Sequence, residues 1–278
     1  MASMVTGIDT TALDSLLEKV YRDTGHDFRE YKRGTVSRRL ERRLHVTGAK
    51  TYLDYIEFLD AHPEEYHKLT DDLTIKVSGF FRSSYTFQQV TKLVLPELTL
   101  FKRNRGEQKL RLWSTACARG EEPYSIAILL AEFLGNRRQD FNISIYATDI
   151  SRQALQGAQA GVYPPTDVKG LTPTALKNYF TCCDKGYVVN CDIRQMVSFS
   201  YFDLTTTIRQ PFIDVDCVFC CNVLIYLQSQ LQERVLGMLY DSLAAPGYLI
   251  LGEVETPTGS LNEKLKCLDA KAKIYKKN

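Results

Sequence analysis

The chain has 278 residues, 24% of them charged, and its formal net charge is +2. So small a net charge creates no overall field that would direct the protein to nucleic acid or to a membrane surface. The longest apolar stretch, at residues 126–134, is much shorter than the roughly 20 residues that span a bilayer, and no secretory signal is visible, so we expect a cytoplasmic protein without membrane insertion.

The first 88 residues have the apolar spacing of helices. Within residues 13–21 leucine, valine and tyrosine recur at the intervals of one helix face. Residues 51–61 and 63–75 repeat that spacing, and Pro63 stands where a first helical residue is expected. We therefore predict an N-terminal all-α domain over residues 1–88.

A basic helical segment, REYKRGTVSRRLERRL, occupies residues 29–44. Val36, Leu40 and Leu44 form an apolar stripe along it. Its other sides are expected to be covered by Arg38, Arg39, Arg42 and Arg43. The arginines suit electrostatic steering toward an acidic partner, a solvated helix face, or a nucleic-acid groove. Few aromatic residues are interleaved with them, which weakens the third interpretation, and we predict no nucleic-acid partner.

From Thr86 onward the pattern becomes an alternation of helices and strands. A helix is predicted from Thr86 to about Lys102. Helical segments then separate five short runs rich in β-branched and aromatic residues: LRLWSTA, ISIYATDI, VSFSYFDL, IDVDCVFCCN and YLILGEVE. This alternation predicts a parallel, doubly wound α/β sheet over residues 89–278, and Ser151 and Thr172 are the expected N-caps of two of its helices.

Residues 180–197 interrupt the alternation. Two short apolar runs there flank Asp184, Lys185 and Gly186, which are residues that favour a tight turn. We predict a small β-subdomain built on this hairpin and inserted into the larger domain.

The cysteines and histidines exclude several kinds of chemistry. The chain has eight cysteines, but its four histidines all lie within the first 67 residues, so no zinc-ligand set with suitable spacing occurs, and we predict no metal. Cys217 and Cys220 fall inside an apparent buried strand and are expected to be inert core residues. No histidine base is available after His67, which argues against a Ser-His-Asp or Cys-His hydrolase.

The turn after the first strand, ACARGEEPYS at residues 116–125, suggests the ligand. It has a single glycine, Gly120, followed by Glu121 and Glu122, instead of the glycine-rich loop that binds phosphates. Two acids at a helix N-terminus repel phosphate and favour a cationic ligand. Asp149, after the second strand, has the position of a ribose-binding acid, and together these features suggest S-adenosylmethionine.

Several segments together resemble the CheR family of chemoreceptor methyltransferases. They are YKRGTVSRRLERRL, LTIKVSGFFRSSYTF, LRLWSTACARGEEPYSIAILLAE, IYATDISRQALQGAQAGVYP, VSFSYFDL, CVFCCNVLIYLQ and APGYLILGEVE. The resemblance covers nearly the whole chain in order. It implies a Rossmann-like S-adenosylmethionine-dependent methyltransferase sheet preceded by an all-α domain. It also implies transfer of a methyl group to glutamate carboxylates of chemoreceptors in chemotaxis adaptation.

The resemblance further implies which residues form the site. Arg82 and Tyr226 are expected nearest the transferred methyl group. The expected cofactor contacts are Lys76, Ser78, Arg82, Glu122, Asp149, Asp203, Leu204, Cys221 and Asn222. For Asp203 a helix or turn cap is an equally good interpretation. The partners would be the methylation helices of receptor cytoplasmic domains, which are acidic surfaces suited to the basic segment at Arg38–Arg43.

Four positions depart from the family pattern and leave alternatives open: Lys76, Arg119, Cys221 and Glu253. Arg119 replaces a small residue, and we expect it to point to solvent or to pair with Glu121. One alternative is a methyltransferase with another acceptor. Another is a cofactor-binding adaptor or sensor that has lost transfer, for which Arg119 and Cys221 are the reason.

Overall fold

The computed structural model describes residues 10–74, 77–205 and 210–277. By its internal contacts the chain forms two compact units: Met1–Ile75 with Tyr226–Leu231, and Lys76–Ile225 with Gln232–Asn278. We call the first the helical unit and the second the sheet unit. The domain boundary predicted at residues 88 and 89 stays a prediction, and Lys76, a predicted cofactor contact, lies outside the described residues.

The helical unit follows the apolar spacing of its sequence. Its helices are α1 Thr10–Thr24, α2 Arg33–Thr47, α3 Tyr52–Ala61 and α4 Glu65–Leu73. Buried leucines of α1, Leu13, Leu16 and Leu17, belong to one core cluster with Leu40 of α2. The prediction that Pro63 is a first helical residue is wrong. Helix α4 begins at Glu65, and Pro63 stands in the turn that precedes it.

The arginines of α2 do not all face outward, which corrects the expectation for this helix. Arg43 is buried, and its guanidinium forms hydrogen bonds and an ion pair with the buried carboxylate of Glu65. Tyr55 donates a third hydrogen bond to the same carboxylate at 3.0 Å. Arg42 pairs with Asp72 at 3.0 Å, whereas Arg38 is exposed.

The sheet unit contains one seven-stranded sheet with the order β6-β2-β1-β7-β8-β10-β9. Its strands are β1 Lys109–Ser114, β2 Asn142–Asp149, β6 Val197–Tyr201, β7 Val215–Cys220, β8 Leu243–Leu251, β9 Leu265–Asp269 and β10 Ile274–Lys277. The first five in that spatial order are parallel, and β10 runs antiparallel to both of its neighbours. The predicted Rossmann-like α/β fold is confirmed.

Strand order reverses at β1, since the chain proceeds outward from β1 to β2 and β6 on one side and later to β7 and β8 on the other. The later helices are α5 Ser84–Gln89, α6 Leu95–Asn104, α7 Glu121–Leu134, α8 Arg152–Ala160, α9 Pro173–Tyr179, α10 Cys191–Arg194, α11 Ser229–Ser242 and α12 Leu261–Lys264. A π-helical segment, Val90–Val94, joins α5 to α6, where the sequence predicted one continuous helix. Ligands of such folds bind beyond the carboxyl ends of strands at a reversal point.

Burial explains the apolar runs and the cysteines within them. All six residues of β7 are buried, and so are the thiols of Cys217 and Cys220, whose pKa values burial raises well above the usual range. The prediction that they are core residues is confirmed. Ser151 and Thr172 also cap α8 and α9 as predicted, because each side chain accepts a hydrogen bond from the backbone N–H three residues later.

A separate three-stranded sheet has the order β3-β5-β4, with β3 at Val162–Tyr163, β4 at Phe180–Cys183 and β5 at Gly186–Val189. β4 and β5 form an antiparallel hairpin, and β3 was not predicted from the sequence. Gly186 has φ +125°, and a Cβ there would lie 2.3 Å from the carbonyl oxygen of Tyr163. Only glycine therefore allows β3 to approach the hairpin.

Candidate cofactor site at the carboxyl edge of the sheet

The loop between β1 and α7 is fixed by close backbone packing. Gly120, the N-cap of α7, has φ +92°, and a Cβ there would lie 2.9 Å from the Cβ of Ala158. Ala118 has φ +47°, and its N–H donates to Oδ2 of Asp149 at 2.8 Å. The loop thus lies directly against the end of β2. The start of α7, which contains Glu122, and Asp149 are therefore connected by this loop.

Glu122 occupies the first turn of α7 and is partly buried. Its Oε1 accepts a hydrogen bond from the hydroxyl of Ser114, the last residue of β1, at 2.7 Å. Burial, assisted by the negative charge of Glu255, raises the pKa of Glu122 to about 7, although Ser114, Cys221 and the positive charge of Arg82 act in the opposite direction. A carboxyl group in this condition becomes fully ionised when a cation binds beside it.

Asp149 ends β2 and connects two backbone segments. Its Oδ2 accepts from Ala118 N, and its Oδ1 accepts from Ser151 N, both at 2.8 Å. The carboxylate therefore orders both the β1–α7 loop and the start of α8. The contact of Asp149 with a ribose stays a prediction. Asp149 stands at the carboxyl end of β2, which is where such a contact would form.

Asp203 and Leu204 lie in the turn that follows β6. Asp203 is buried, and its Oδ1 accepts from the backbone N–H of Thr205 at 2.8 Å and from its hydroxyl at 2.7 Å. This is the turn-capping geometry that the sequence left open as an alternative. The contact of Asp203 and Leu204 with an adenine stays a prediction.

The segment that contains Ser78 and Arg82 is held against α7 in a strained backbone. Phe81 and Ser83, on either side of Arg82, have φ +49° and +61°, a conformation that costs of order 1–3 kcal/mol per residue and persists mainly at functional sites. The Phe81 N–H donates to the buried hydroxyl of Ser125 at 2.9 Å. Ser125 lies one turn after Glu122 in α7, so the same helix holds both Glu122 and the segment that contains Arg82.

Arg82 itself is exposed, and its Nη1 donates to the carbonyl oxygen of Val77 at 2.8 Å. Its positive charge slightly opposes the rise in the pKa of Glu122. Ser78 is half-buried within the same segment. These positions agree with a site at the carboxyl edge of the sheet, and the roles of both residues stay predictions.

The loop after β7 contains Cys221 and Asn222. Burial and the charge of Glu122 raise the pKa of the Cys221 thiol well above its usual range, so the group is neutral. Asn222 has φ +61°, and its N–H donates to Oε2 of Glu255 at 2.9 Å.

Tyr226 ends a short 3₁₀ helix, Leu224–Tyr226, and its contacts group it with the helical unit. Its backbone carbonyl accepts a hydrogen bond from Lys32 N at 2.7 Å. Its predicted catalytic role stays a prediction.

Arg119 adopts one of the two arrangements expected for it. Its guanidinium lies 3.2 Å from Oε1 of Glu121 and also pairs with Asp167. Both of its strong contacts are with carboxylates other than Glu122 and Asp149. The side chain is thereby neutralised locally, which removes much of the reason for regarding Arg119 as an obstacle to a cationic ligand.

Sequence analysis missed three supporting residues: Ser114, Ser125 and Glu255. Serine at a strand end and serine on a helix are too common to mark a site. Glu255 is buried yet belongs to a polar stretch, and two of its three partners, Asn222 and Ile225, lie 33 and 30 residues earlier in the chain. Only the pairing of β7 with β8 reveals them.

Within the described residues, no group of three or more histidine, cysteine, aspartate or glutamate side chains is arranged to hold a metal ion. None of the helices described there is both long enough and apolar enough to cross a membrane.

Two family models match the chain: the CheR methyltransferase all-alpha domain at residues 11–74, and the CheR methyltransferase SAM binding domain at residues 76–274. The chain belongs to the CheR methyltransferase family. The predicted resemblance and the predicted cofactor, S-adenosylmethionine, are therefore confirmed.

Relatives in several bacteria agree with this assignment. A chemotaxis protein methyltransferase of Borreliella burgdorferi is 32% identical over 90% of this chain and 89% of its own length. One of Klebsiella aerogenes is 34% identical over 85% of this chain and 80% of its own length. That of Escherichia coli is 32% identical over 85% of this chain and 81% of its own length.

Proposed function

We propose that this CheR-family protein is a protein-glutamate O-methyltransferase, which acts in the cytoplasm on chemoreceptors. The observation that supports this most is Glu122, a partly buried carboxyl whose pKa burial raises to about 7. It lies in the first turn of the helix after β1, where strand order reverses, and Asp149 accepts a hydrogen bond from the same β1–α7 loop. The relatives named chemotaxis protein methyltransferase support the same activity.

The residues of the site fit S-adenosylmethionine. Glu122 accepts a hydrogen bond from the neutral hydroxyl of Ser114, so its negative charge is available to a cationic ligand. Asp149 stands at the next strand end, the usual place of a ribose-binding acid. When bound, the cofactor supplies an electrophilic methyl group on a sulfonium centre. Glu122 and Asp149 would hold it, with Cys221 and Asn222 on the side of β7.

The proposed acceptor needs no general base. A glutamate side chain has a reference pKa of about 4.3 and is already ionised at neutral pH. This agrees with a sheet unit whose sequence contains no histidine. The chain's own task is therefore to hold the acceptor carboxylate in line with the methyl group, which in well-aligned systems contributes about 7–11 kcal/mol.

Arg82 suits this orienting task because its exposed guanidinium has a planar pair of donors. Very tight binding of the acceptor carboxylate would reduce its nucleophilicity, so Arg82 must act mainly by orientation. Transfer between a carboxylate anion and a sulfonium cation gives neutral products. Exclusion of water from the site therefore favours the reaction, since the separated charges lose more hydration than the charge-dispersed transition state.

Incubation with methyl-labelled S-adenosylmethionine and receptor cytoplasmic fragments tests the proposal. We expect base-labile label on the receptor fragment, because methyl esters hydrolyse in alkali, and no label on a fragment whose methylation glutamates are replaced by alanine. Label on a different protein or small carboxylate would show another acceptor. Cofactor binding without any transfer would show an adaptor or sensor.

Replacement of Arg82 tests its role separately. We expect Arg82→Ala to lower the rate of methyl transfer about a hundredfold, the loss that misalignment of reacting groups can cause. The matched control is Arg103→Ala, which removes an exposed arginine from α6. Transfer at the wild-type rate by a folded Arg82→Ala variant would remove Arg82 from the site.

A further inference from the structure

Glu255 is a buried carboxylate whose hydrogen-bond donors, among the residues that the structure describes, are all backbone N–H groups. It is 4% exposed, and its Oε2 accepts from Gly252 N at 2.7 Å and from Asn222 N at 2.9 Å. Its Oε1 accepts from Ile225 N at 3.2 Å. The ion pairs found in the described part of the chain do not include Glu255. A buried carboxylate without a cation needs such a set of donors to remain in place.

These donors belong to two loops that follow neighbouring parallel strands. Asn222 and Ile225 follow β7, Gly252 follows β8, and the two strands are paired as far as Cys220 and Leu251. The side chain of Glu255 therefore joins the loops just beyond the carboxyl ends of both strands. We call residues 221–225 the β7 loop.

The fit around the carboxylate is tight. A Cβ at Gly252 would lie 2.6 Å from Oε2 of Glu255 and 2.8 Å from the backbone nitrogen of Asn222. No other residue fits at position 252 without displacing the carboxylate or the β7 loop. The loops after β7 and β8 therefore approach each other closely, with the carboxylate of Glu255 between them.

Two backbone N–H groups of the β7 loop find their acceptor outside the loop. Asn222 has φ +61°, a left-handed conformation that asparagine tolerates better than most residues and that turns the chain at this point. The N–H groups of Asn222 and Ile225 donate hydrogen bonds to Glu255. Without the carboxylate both would lose their acceptor in a partly buried loop. Asn222 and Cys221 are predicted cofactor contacts, and Tyr226 follows Ile225 directly in the chain.

We propose that Glu255 is a positioning residue of the methyltransferase site, whose carboxylate sets the β7 loop so that Cys221 and Asn222 face the cofactor. This role rests on the proposed function, because the two residues are cofactor contacts only under it. Glu255 does not itself need to contact the cofactor or the reacting atoms. Its negative charge also acts on Glu122 and so links the β7 loop to the first turn of α7.

Glu255→Gln isolates this role, because it keeps the size of the side chain. Glutamine has one carbonyl oxygen and one NH₂ group, so at least one backbone N–H of the three would face a donor in place of an acceptor. Glu255→Asp keeps the charge and both acceptor oxygens on a shorter side chain. Glu263→Gln is the matched control, since it removes an exposed carboxylate from α12.

Calorimetric titration with S-adenosylhomocysteine gives the affinity of each variant without any acceptor. We expect Glu255→Gln to bind at least about tenfold more weakly than wild type, Glu255→Asp to recover part of the loss, and Glu263→Gln to bind as wild type. Amide NMR signals of Asn222 and Ile225 should shift in Glu255→Gln and remain unchanged in the control. A merely structural role would not alter affinity in the folded fraction.

Wild-type affinity in a folded Glu255→Gln variant would overturn the role of Glu255. So would an affinity loss in Glu255→Gln and Glu255→Asp that only follows the fraction of unfolded protein, measured by circular dichroism. Failure of the wild-type protein to bind S-adenosylhomocysteine would instead contradict the proposed function. The two failures are therefore distinguishable in one series of titrations.

Discussion

Glu65, the buried carboxylate of the helical unit, is paired with arginine, whereas Glu122 and Glu255 at the carboxyl edge of the sheet are held by hydroxyl and backbone N–H donors. Glu65 receives Arg43 and a tyrosine hydroxyl. Glu122 receives the Ser114 hydroxyl, and Glu255 receives three backbone N–H groups. Carboxylates thus have two kinds of hydrogen-bond donor within one chain: a charged guanidinium in one case and neutral groups in the other.

Under the proposed function, the difference separates a charge that stabilises the fold from charges that favour binding of a cation. A carboxylate paired with a buried arginine has its charge neutralised, and the pair stabilises a particular packing of helices. A carboxylate held by neutral donors keeps its net negative charge and attracts a cation. The negative charge of Glu255 also raises the pKa of Glu122, an effect that a cationic ligand would oppose.

Removal of the arginine should produce the largest effect on stability. We expect Arg43→Ala to reduce the free energy of unfolding by about 3–5 kcal/mol, because Glu65 would remain buried without its cation. Urea unfolding followed by circular dichroism measures this change. Arg38→Ala, which removes an exposed arginine of the same helix, should change stability by no more than about 0.5 kcal/mol. Equal stability of both variants would contradict the comparison.

Removal of the charge at Glu122 should affect binding instead. We expect Glu122→Gln to weaken S-adenosylmethionine binding by about 10- to 100-fold, the effect of losing a hydrogen bond to a charged group, which contributes about 1.5–3 kcal/mol. The measurement is calorimetric titration, with Glu132→Gln, an exposed position of α7, as the control. A loss of stability without loss of affinity would place Glu122 with the structural carboxylates.

The pH dependence should sharpen the contrast. Glu122 must be ionised to bind a cation, and its pKa is raised from the ordinary value of 4.5 to about 7. Affinity for S-adenosylmethionine should therefore rise about tenfold from pH 6 to pH 8, with release of a proton on binding at the lower pH. The Glu122→Gln variant should lose this rise. A wild-type affinity independent of pH over that range would contradict the raised pKa.

The same shift has the opposite consequence for the stability of the free protein. Between pH 4.5 and about 7 the folded state binds more protons at Glu122 than the unfolded state does. The contribution of Glu122 to stability is therefore complete below its unfolded pKa and is lost as the pH rises through about 7. Ligand affinity and the stability of the free protein should thus change in opposite directions over this range.

Electrostatic steering by α2 should have the smallest effect. Because Arg43 is buried and Arg42 is paired with Asp72, exposed Arg38 is the better test of steering. We expect Arg38→Glu to lower kcat/KM for receptor fragments about two- to fivefold at low salt, and the difference to vanish at high salt. Arg103→Glu is the control for net charge. An equal decrease in both variants would exclude a specific role of α2.

Local signals predicted much of the architecture. The spacing of apolar residues predicted α1, α3 and the parallel strands, and the caps at Ser151 and Thr172 lie where the sequence placed them. These features depend on neighbours within a few residues, so their physics is present in the sequence itself. The acids near the ends of β1 and β2 were recognisable for the same reason, because Asp149 is the last residue of β2 and Glu121 and Glu122 begin the helix that follows β1.

The burial of Arg43 could not be predicted in this way. Spacing along α2 alone does not reveal that Glu65 and Asp72 approach from α4, about 20 to 30 residues later. A third short strand beside the hairpin was missed for a similar reason, since two residues give no periodic signal.

By itself the sequence determined the class of fold and the family, and it predicted an acidic edge for a cationic cofactor, because periodicity, caps and short motifs act through local contacts. Only the tertiary structure decided which charges are neutralised and which remain available. Parallel pairing of β7 with β8 brings Glu255 to the backbone of Asn222, and the burial of Glu122 raises its pKa to about 7. Both effects depend on distance and desolvation in space, which no local pattern in the chain specifies.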